Sequence, residues 1–325
     1  MLVGREGTRV IVCVSANPAL DVCLRVPRLA AGAVQRADGV RRLAGGKAAH
    51  VALAARSLGA PVVLLGWFGG ATGQRCQQQL AELGLPTLAV PTRCETRQNL
   101  EIVDDEGRST EVLEPGGPVG RQEVELLVNA CTRIVDRLGR GNAIVLSGSL
   151  PTGAPVDLFA EMVTIARRHE VATFVDTSGA ALDAALAAGP DWVKPNHEEA
   201  GELLGRPIVD TRSALAAARA LRAKGAARVV LSRGRHGLVA VDEARAFEGR
   251  APAVDATSSV GCGDATVAGL AVATLRGAPM VEVLRLAVAC GSANCRAMWP
   301  GRLSPDLVEE ALATTEVTEL PGGLE

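Results

Sequence analysis

Between residues 121 and 232 the sequence repeats one pattern four times: a helical segment followed by a short, largely apolar strand. Helix 121–138 precedes strand 143–147, and helix 155–169 precedes strand 172–176. Helix 179–188 then precedes strand 191–194, and helix 211–224 precedes strand 227–232. A strand that is apolar on both faces has no side to offer water, so it belongs in a sheet covered on both sides. Alternating helices and strands deliver such strands in parallel. The pattern excludes a helical bundle and an antiparallel sandwich. It predicts an α/β fold, with a mostly parallel central sheet flanked by helices on both faces. In such sheets ligands bind beyond the carboxyl ends of the strands. Ser147-Gly148-Ser149 and Lys194-Pro195-Asn196 fall at those ends.

The first third of the chain is less regular. A β-type run at 10–14 ends at Ser15-Ala16-Asn17-Pro18, and Gly45-Gly46 opens a helix over 47–58. A buried strand at 62–65 and a helix at 72–83 follow. Residues 97–113 read as a hairpin with the turn Asp104-Asp105-Glu106-Gly107. The pieces near 20–43 and 87–113 break the α/β rhythm, and they are expected to pair into a small sheet over one side of the site. No repeat or low-complexity linker divides the chain, so residues 1–325 read as one domain carrying that insertion.

Composition narrows the function classes. With 48% apolar and 22% charged residues in 325, the chain has enough material for a large core and too little charge for disorder. A net charge of −2 gives no electrostatic case for a nucleic-acid or membrane-surface partner. Three Trp, four Phe and no Tyr are too few for base-stacking platforms. No apolar run approaches the roughly 20 residues of a membrane span. Residues 1–6 and the short run at 10–14 do not read as a signal peptide, so the cytoplasm is the expected location. The eight cysteines contain no C-x-x-C and read as reduced thiols, with no zinc site.

The sharpest local signal is Val260-Gly261-Cys262-Gly263-Asp264 ahead of a helical pattern at 265–275. A glycine-rich turn opening a helix presents unpaired N–H groups and partial positive charge, which suits a phosphoryl group. A carboxylate at its rim can accept a hydroxyl proton. The plain alternative is an ordinary helix start with a favourable first-turn Asp. Gly45-Gly46-Lys47 permits close backbone approach of a ligand, or is merely a tight turn with a solvated Lys. Arg97, in Thr96-Arg97-Gln98-Asn99, offers a fork of donors to a phosphate or carboxylate, or is a solvated edge residue. Asn196 caps a helix whether or not it does more. Ser232-Arg233-Gly234-Arg235-His236-Gly237 reads equally as a phosphate loop and as a hairpin turn.

Taken in order along the chain, these motifs resemble the PfkB (ribokinase-like) family of carbohydrate kinases, from about residue 10 to about residue 305. Asn17-Pro18-Ala19-Leu20-Asp21, Gly45-Gly46-Lys47, Thr96-Arg97-x-Asn99, Ser147-Gly148-Ser149-Leu150-Pro151, Asp176-Thr177-Ser178-Gly179, Lys194-Pro195-Asn196-x-x-Glu199 and Gly261-x-Gly263-Asp264 carry the resemblance. The first, third and fourth resemble the phosphosugar branch of that family, which includes 1-phosphofructokinase and tagatose-6-phosphate kinase. The resemblance implies a ribokinase-like fold with a small β-sheet lid. It also implies an ATP- and Mg²⁺-dependent kinase acting on a phosphorylated ketohexose. Asp264 would then be the base, and Gly261, Cys262 and Gly263 the anion hole. Asp21, Gly45, Gly46 and His50 would hold sugar hydroxyls, with Asn99 beside them. Arg97 would grip the substrate phosphate with Lys47 and Ser149 nearby. Lys194 and Asn196 would face the nucleotide phosphates, and Glu199 would organise Mg²⁺. Ser232, Gly234 and Gly237 would run along ATP, with Ser292 and Asn294 near the adenine. The lid would also serve as a homodimer clasp.

Three positions depart from the family pattern. His50 stands where the family usually has Asn, and Ala48 replaces a glycine. Cys262 replaces the usual Ala of the anion hole. It reads either as a small-for-small exchange or as a thiol acidified by the helix N-terminus and open to oxidation. His50 leaves room for a kinase of an unphosphorylated sugar or polyol. A non-catalytic sugar- or nucleotide-binding homologue is the reading outside the enzyme class, and Asp264, Arg97 and Lys194 together argue against it.

Overall fold

The computed structural model describes residues 9–252, 254 and 258–320. Residues 1–6, on which the leader expectation partly rests, lie outside them. Strand β1 (Ile11–Ser15) is buried at every position. The chain then makes β2 (Ala19–Val26) and β3 (Gly39–Gly45) away from the core. It returns through α1 (Lys47–Ser57), β4 (Val62–Phe68), α2 (Gly70–Glu82) and β5 (Thr87–Pro91). A second excursion forms β6 (Arg97–Asp104) and β7 (Ser109–Leu113). The regular alternation follows: α3 (Arg121–Leu138), β8 (Ala143–Ser147), α4 (Leu158–Arg168), β9 (Ala172–Asp176), α5 (Gly179–Ala187), β10 (Trp192–Val193), α6 (His197–Leu204), α7 (Thr211–Ala223) and β11 (Arg228–Ser232). The last third comprises β12 (Leu238–Val241), β13 (Ala246–Arg250), α8 (Cys262–Leu275), α9 (Met280–Cys295), α10 (Pro305–Thr314) and β14 (Glu316–Leu320).

Ten strands form one sheet in the order β14-β13-β12-β11-β10-β9-β8-β1-β4-β5. Pairing is parallel from β5 to β11 and antiparallel from β11 to β14. Val12, Val14, Ile144 and Leu146 face one apolar layer with α3, α4 and α7, whereas Ile11, Cys13 and Val145 face the other with α1, α8 and α9. This is the doubly covered sheet that the apolar strands require. A separate four-stranded sheet runs β3-β2-β6-β7. The expected lid segment at 87–113 is thus divided: Thr87–Pro91 pairs in parallel with β4 and extends the large sheet, while β6 and β7 join the small one. The antiparallel edge was not anticipated either. Ser232 and Leu238 pair across a hairpin between β11 and β12, so the glycine-rich turn is a hairpin turn that also borders the cleft.

Small residues rather than rings set the packing on the α8 side. Helix α8 is buried on nearly every face, and a Cβ on Gly269 would stand 2.8 Å from the Cα of Ala287 in α9. The two helices therefore meet backbone to backbone, which brings the N-terminus of α8 against the strand ends. Gly269→Ala should destabilise the fold by about 1–3 kcal/mol through overpacking. An unchanged urea midpoint would show that this close approach is not needed.

Candidate active site

The carboxyl ends of β8, β9, β10 and β11 and the N-terminus of α8 meet under the small sheet. The cleft between them has a volume of about 1880 Å³. A single small-ligand pocket occupies roughly 300–1,000 Å³, so there is space for two substrates. Every candidate residue singled out in the sequence lines this cleft except Gly45.

At its centre lies Asp264, in the first turn of α8 and 5% exposed. Gly261 caps the helix with φ +77°. The first-turn amides have no partner within the helix, and their partial positive charge faces the cleft. Asn294 braces the turn from below: Nδ2 donates to the Val260 carbonyl at 2.8 Å, and Oδ1 accepts from the Gly301 amide at 2.8 Å. Its amide group thus holds the turn while the residue borders the cleft beside Ser292. The Lys194 ammonium lies 3.4 Å from where a Cβ on Gly263 would stand.

His50 joins Asp264 to Asp21. Its Nδ1 is 2.9 Å from Asp264 Oδ2, and its Nε2 is 3.0 Å from Asp21 Oδ2. Ionised carboxylates only accept, so two such contacts require a proton on each ring nitrogen. Burial alone would lower the imidazole pKa, but hydrogen bonds and charge from Asp21 and Asp264 outweigh it and push it up to about 10. Asp21 moves the opposite way. Burial raises its pKa, yet His50, the Asn99 amide at 2.9 Å and the Gly46 N–H at 3.3 Å hold it below the ordinary aspartate value. Gly45 is hydrogen there for a steric reason: a Cβ would stand 1.8 Å from Asp21 Oδ2.

Cations flank this bridge on both sides. Arg97, on β6 of the small sheet, donates from Nε to the Asn17 carbonyl at 3.3 Å and from Nη1 to the Glu114 carbonyl at 2.7 Å. The Ser149 hydroxyl accepts from Asn17 Nδ2 at 3.0 Å. On the other side Asp176, which sequence reasoning quoted but gave no role, lies between two ammonium groups. Lys194 Nζ is 3.4 Å and Lys47 Nζ 3.8 Å from its Oδ1. Asp176 chiefly, then Glu199 and Asp264, hold the Lys47 proton more tightly than usual against the effect of burial. The signal available for Asp176 was its place as the polar end of an apolar strand.

Glu199 and Asn196 form a reciprocal cap on α6: Asn196 Oδ1 accepts from the Glu198 and Glu199 amides, and Glu199 Oε2 accepts from the Asn196 amide at 2.8 Å. Glu199 Oε1 meets Lys47 at 3.4 Å. Among the described residues no three His, Cys, Asp or Glu side chains cluster as a metal cage. Ser232, Gly234 and Gly237 line the far end of the cleft with Ser292. Arg233 anchors their turn through an ion pair with Glu248 at 2.7 Å. The acidified-thiol reading of Cys262 does not hold. Cys295 lies 2.8 Å away, sulfur to sulfur; that contact and burial push the Cys262 thiol up, and the same contact pulls the Cys295 thiol down against its own burial.

Residues 9–306 match the pfkB family of carbohydrate kinases. A 1-phosphofructokinase of Xanthomonas campestris is 35% identical over 95% of this chain and 98% of its own. A tagatose-6-phosphate kinase of Staphylococcus epidermidis is 28% identical over 95% of this chain and 100% of its own. The crystal structure of Escherichia coli phosphofructokinase-2 with substrates and products superposes with a TM-score of 0.86, at 30% identity over 94% of this chain and 99% of that one.

The bridge has a pH signature. Because the folded His50 pKa of about 10 lies above the ordinary 6.5, the stability it supplies is complete below about pH 6.5 and fades as pH rises through 10. The melting-temperature deficit of His50→Asn should therefore be largest near pH 6 and shrink towards pH 10. A deficit that grows with pH would contradict a charged imidazole.

Proposed function

Since the chain belongs to the pfkB family of carbohydrate kinases, we propose that it transfers the γ-phosphoryl group of ATP to a free hydroxyl of a phosphorylated ketohexose. Fructose-1-phosphate, fructose-6-phosphate and tagatose-6-phosphate are the candidates. The observation that carries this reading is the buried Asp264 carboxylate at the amide-rich mouth of α8, with Lys194 and Lys47 on one side and Arg97 on the other. Anions fit on both sides of the base. Asp264 accepts the proton of the sugar hydroxyl as that oxygen attacks the γ-phosphorus. The amides of the turn and Lys194 hold the transferred group in line, and catalysis is mostly positioning and charge stabilisation. Arg97, already oriented by two carbonyls, presents its guanidinium to the phosphate on the sugar.

The donor set also fits Mg²⁺ of a particular kind. Both carboxylate oxygens of Asp176 are buried without a hydrogen-bond donor, and Glu199 faces the same cleft, but no complete cage stands ready. Asp176 and Glu199 are the residues that would hold such an ion beside the nucleotide phosphates. When bound, it would neutralise charge on the phosphate oxygens. The small sheet closes over the acceptor and keeps water from the phosphoryl group. Val40, Val112 and Leu113 are exposed on that sheet and support its use as a clasp between two copies. The eight unpaired cysteines support a reducing, cytoplasmic setting.

An ADP-release assay over a panel of ketohexose phosphates, free ketohexoses and polyols tests this reading. Turnover restricted to the phosphates is expected, and turnover of free sugars alone would overturn it. Asp264→Asn should lower kcat by about 10²–10⁴ while ADP still binds. Arg97→Ala should raise KM for the phosphosugar by about 10–100-fold, the value of one charge-assisted hydrogen bond. An equal loss with an unphosphorylated sugar would remove Arg97 from the phosphate.

A further inference from the structure

Both nitrogens of His50 are occupied by protein carboxylates, at 2.9 Å from Asp264 and 3.0 Å from Asp21. The ring has no N–H left for a sugar hydroxyl, so the residue acts through its two neighbours. Its own backbone is fixed. The His50 amide donates to the Gly46 carbonyl at 3.1 Å, and the 301 turn packs so tightly that a Cβ on Gly301 would stand 2.5 Å from the His50 carbonyl oxygen. The side chain is 8% exposed, with Asp264 at 7% beside it. A rigid donor thus meets a carboxylate that has two equivalent oxygens and, without a partner, free rotation about its Cβ–Cγ bond.

Resting on the reading of Asp264 as the base, we propose that His50 is a positioning residue for the transfer step. By holding Asp264 Oδ2 from Nδ1 it leaves Oδ1 to the acceptor hydroxyl, and by holding Asp21 from Nε2 it couples the base to the carboxylate that orients the sugar. The arrangement has an electrostatic consequence as well. Two bare carboxylates would repel a phosphorylated sugar, and the imidazole between them cancels one charge at the point where the anion must approach. An Asn at this position would offer a single amide NH₂, which cannot reach both carboxylates along the two directions available to a ring.

The two halves of the bridge can be separated by isosteric amides. Asn places its Nδ2 the same number of bonds from the backbone as imidazole Nδ1, so His50→Asn keeps the contact to Asp264 and loses the one to Asp21. Gln places its Nε2 as imidazole Nε2, so His50→Gln keeps Asp21 and frees Asp264. Steady-state kinetics on the phosphosugar that the wild type turns over fastest, with ADP affinity as the check on folding, read the split. His50→Asn should raise KM several-fold with kcat within about threefold of wild type. His50→Gln should lower kcat by about 10²-fold, the cost of a base displaced by about 1 Å. Loss of ADP affinity in both variants, equal kcat losses in both, or wild-type kinetics in both would each overturn the proposal. Absence of any wild-type turnover would instead overturn the kinase reading, and so the two failures are distinguishable.

Discussion

Two carboxylates buried in one cleft repel each other and resist leaving water. Here Asp21 comes from the small sheet and Asp264 from the first turn of α8, and one imidazole satisfies both. The rest of the site is arranged around that bridge. Gly45 stays bare because Asp21 leaves no space for a side chain. Asn294 fixes the Val260–Gly261 turn so that Asp264 emerges at the right height. The backbone-close packing of α8 on α9 places the whole turn against the strand ends.

A second charge group stands on the other side of the α8 turn. Asp176 at the end of β9 draws Lys194 and Lys47 together, and Lys47 reaches on to Glu199. These pairs are poised rather than closed: the separations of 3.4–3.8 Å leave the ammonium groups free to turn towards phosphate. Asp176 and Glu199 thus offset the two lysines on one side of Asp264, while Arg97 stands on the other.

Much of this was legible in the order of the residues. The alternation after residue 120 dictated the parallel sheet, because apolar strands must be covered on both faces. The glycine-rich turn and Asp264 were legible because a helix start has its own local chemistry. What escaped were features fixed by contacts distant in sequence. Thr87–Pro91 joins the large sheet through β4 and not its neighbour β6. The antiparallel edge β12–β14 depends on a strand returning from residue 316. The carboxylate bridge at His50 was not legible because its partners, 29 residues before it and 214 after it, are brought together only by folding. Cys262 could be read as a small-for-small exchange or as an activated thiol because nothing near it in sequence announces Cys295.

Phosphoryl transfer at this site depends on where the acceptor oxygen sits relative to Asp264. A crystal structure of the chain with a ketohexose phosphate and a non-hydrolysable ATP analogue measures that directly. The acceptor hydroxyl is expected at about 2.6–3.2 Å from Asp264 Oδ1, within hydrogen-bond reach of its base, with His50 still on Oδ2. A hydroxyl bound away from Asp264, or an Asp264 side chain turned out of the cleft when both substrates are present, would contradict it.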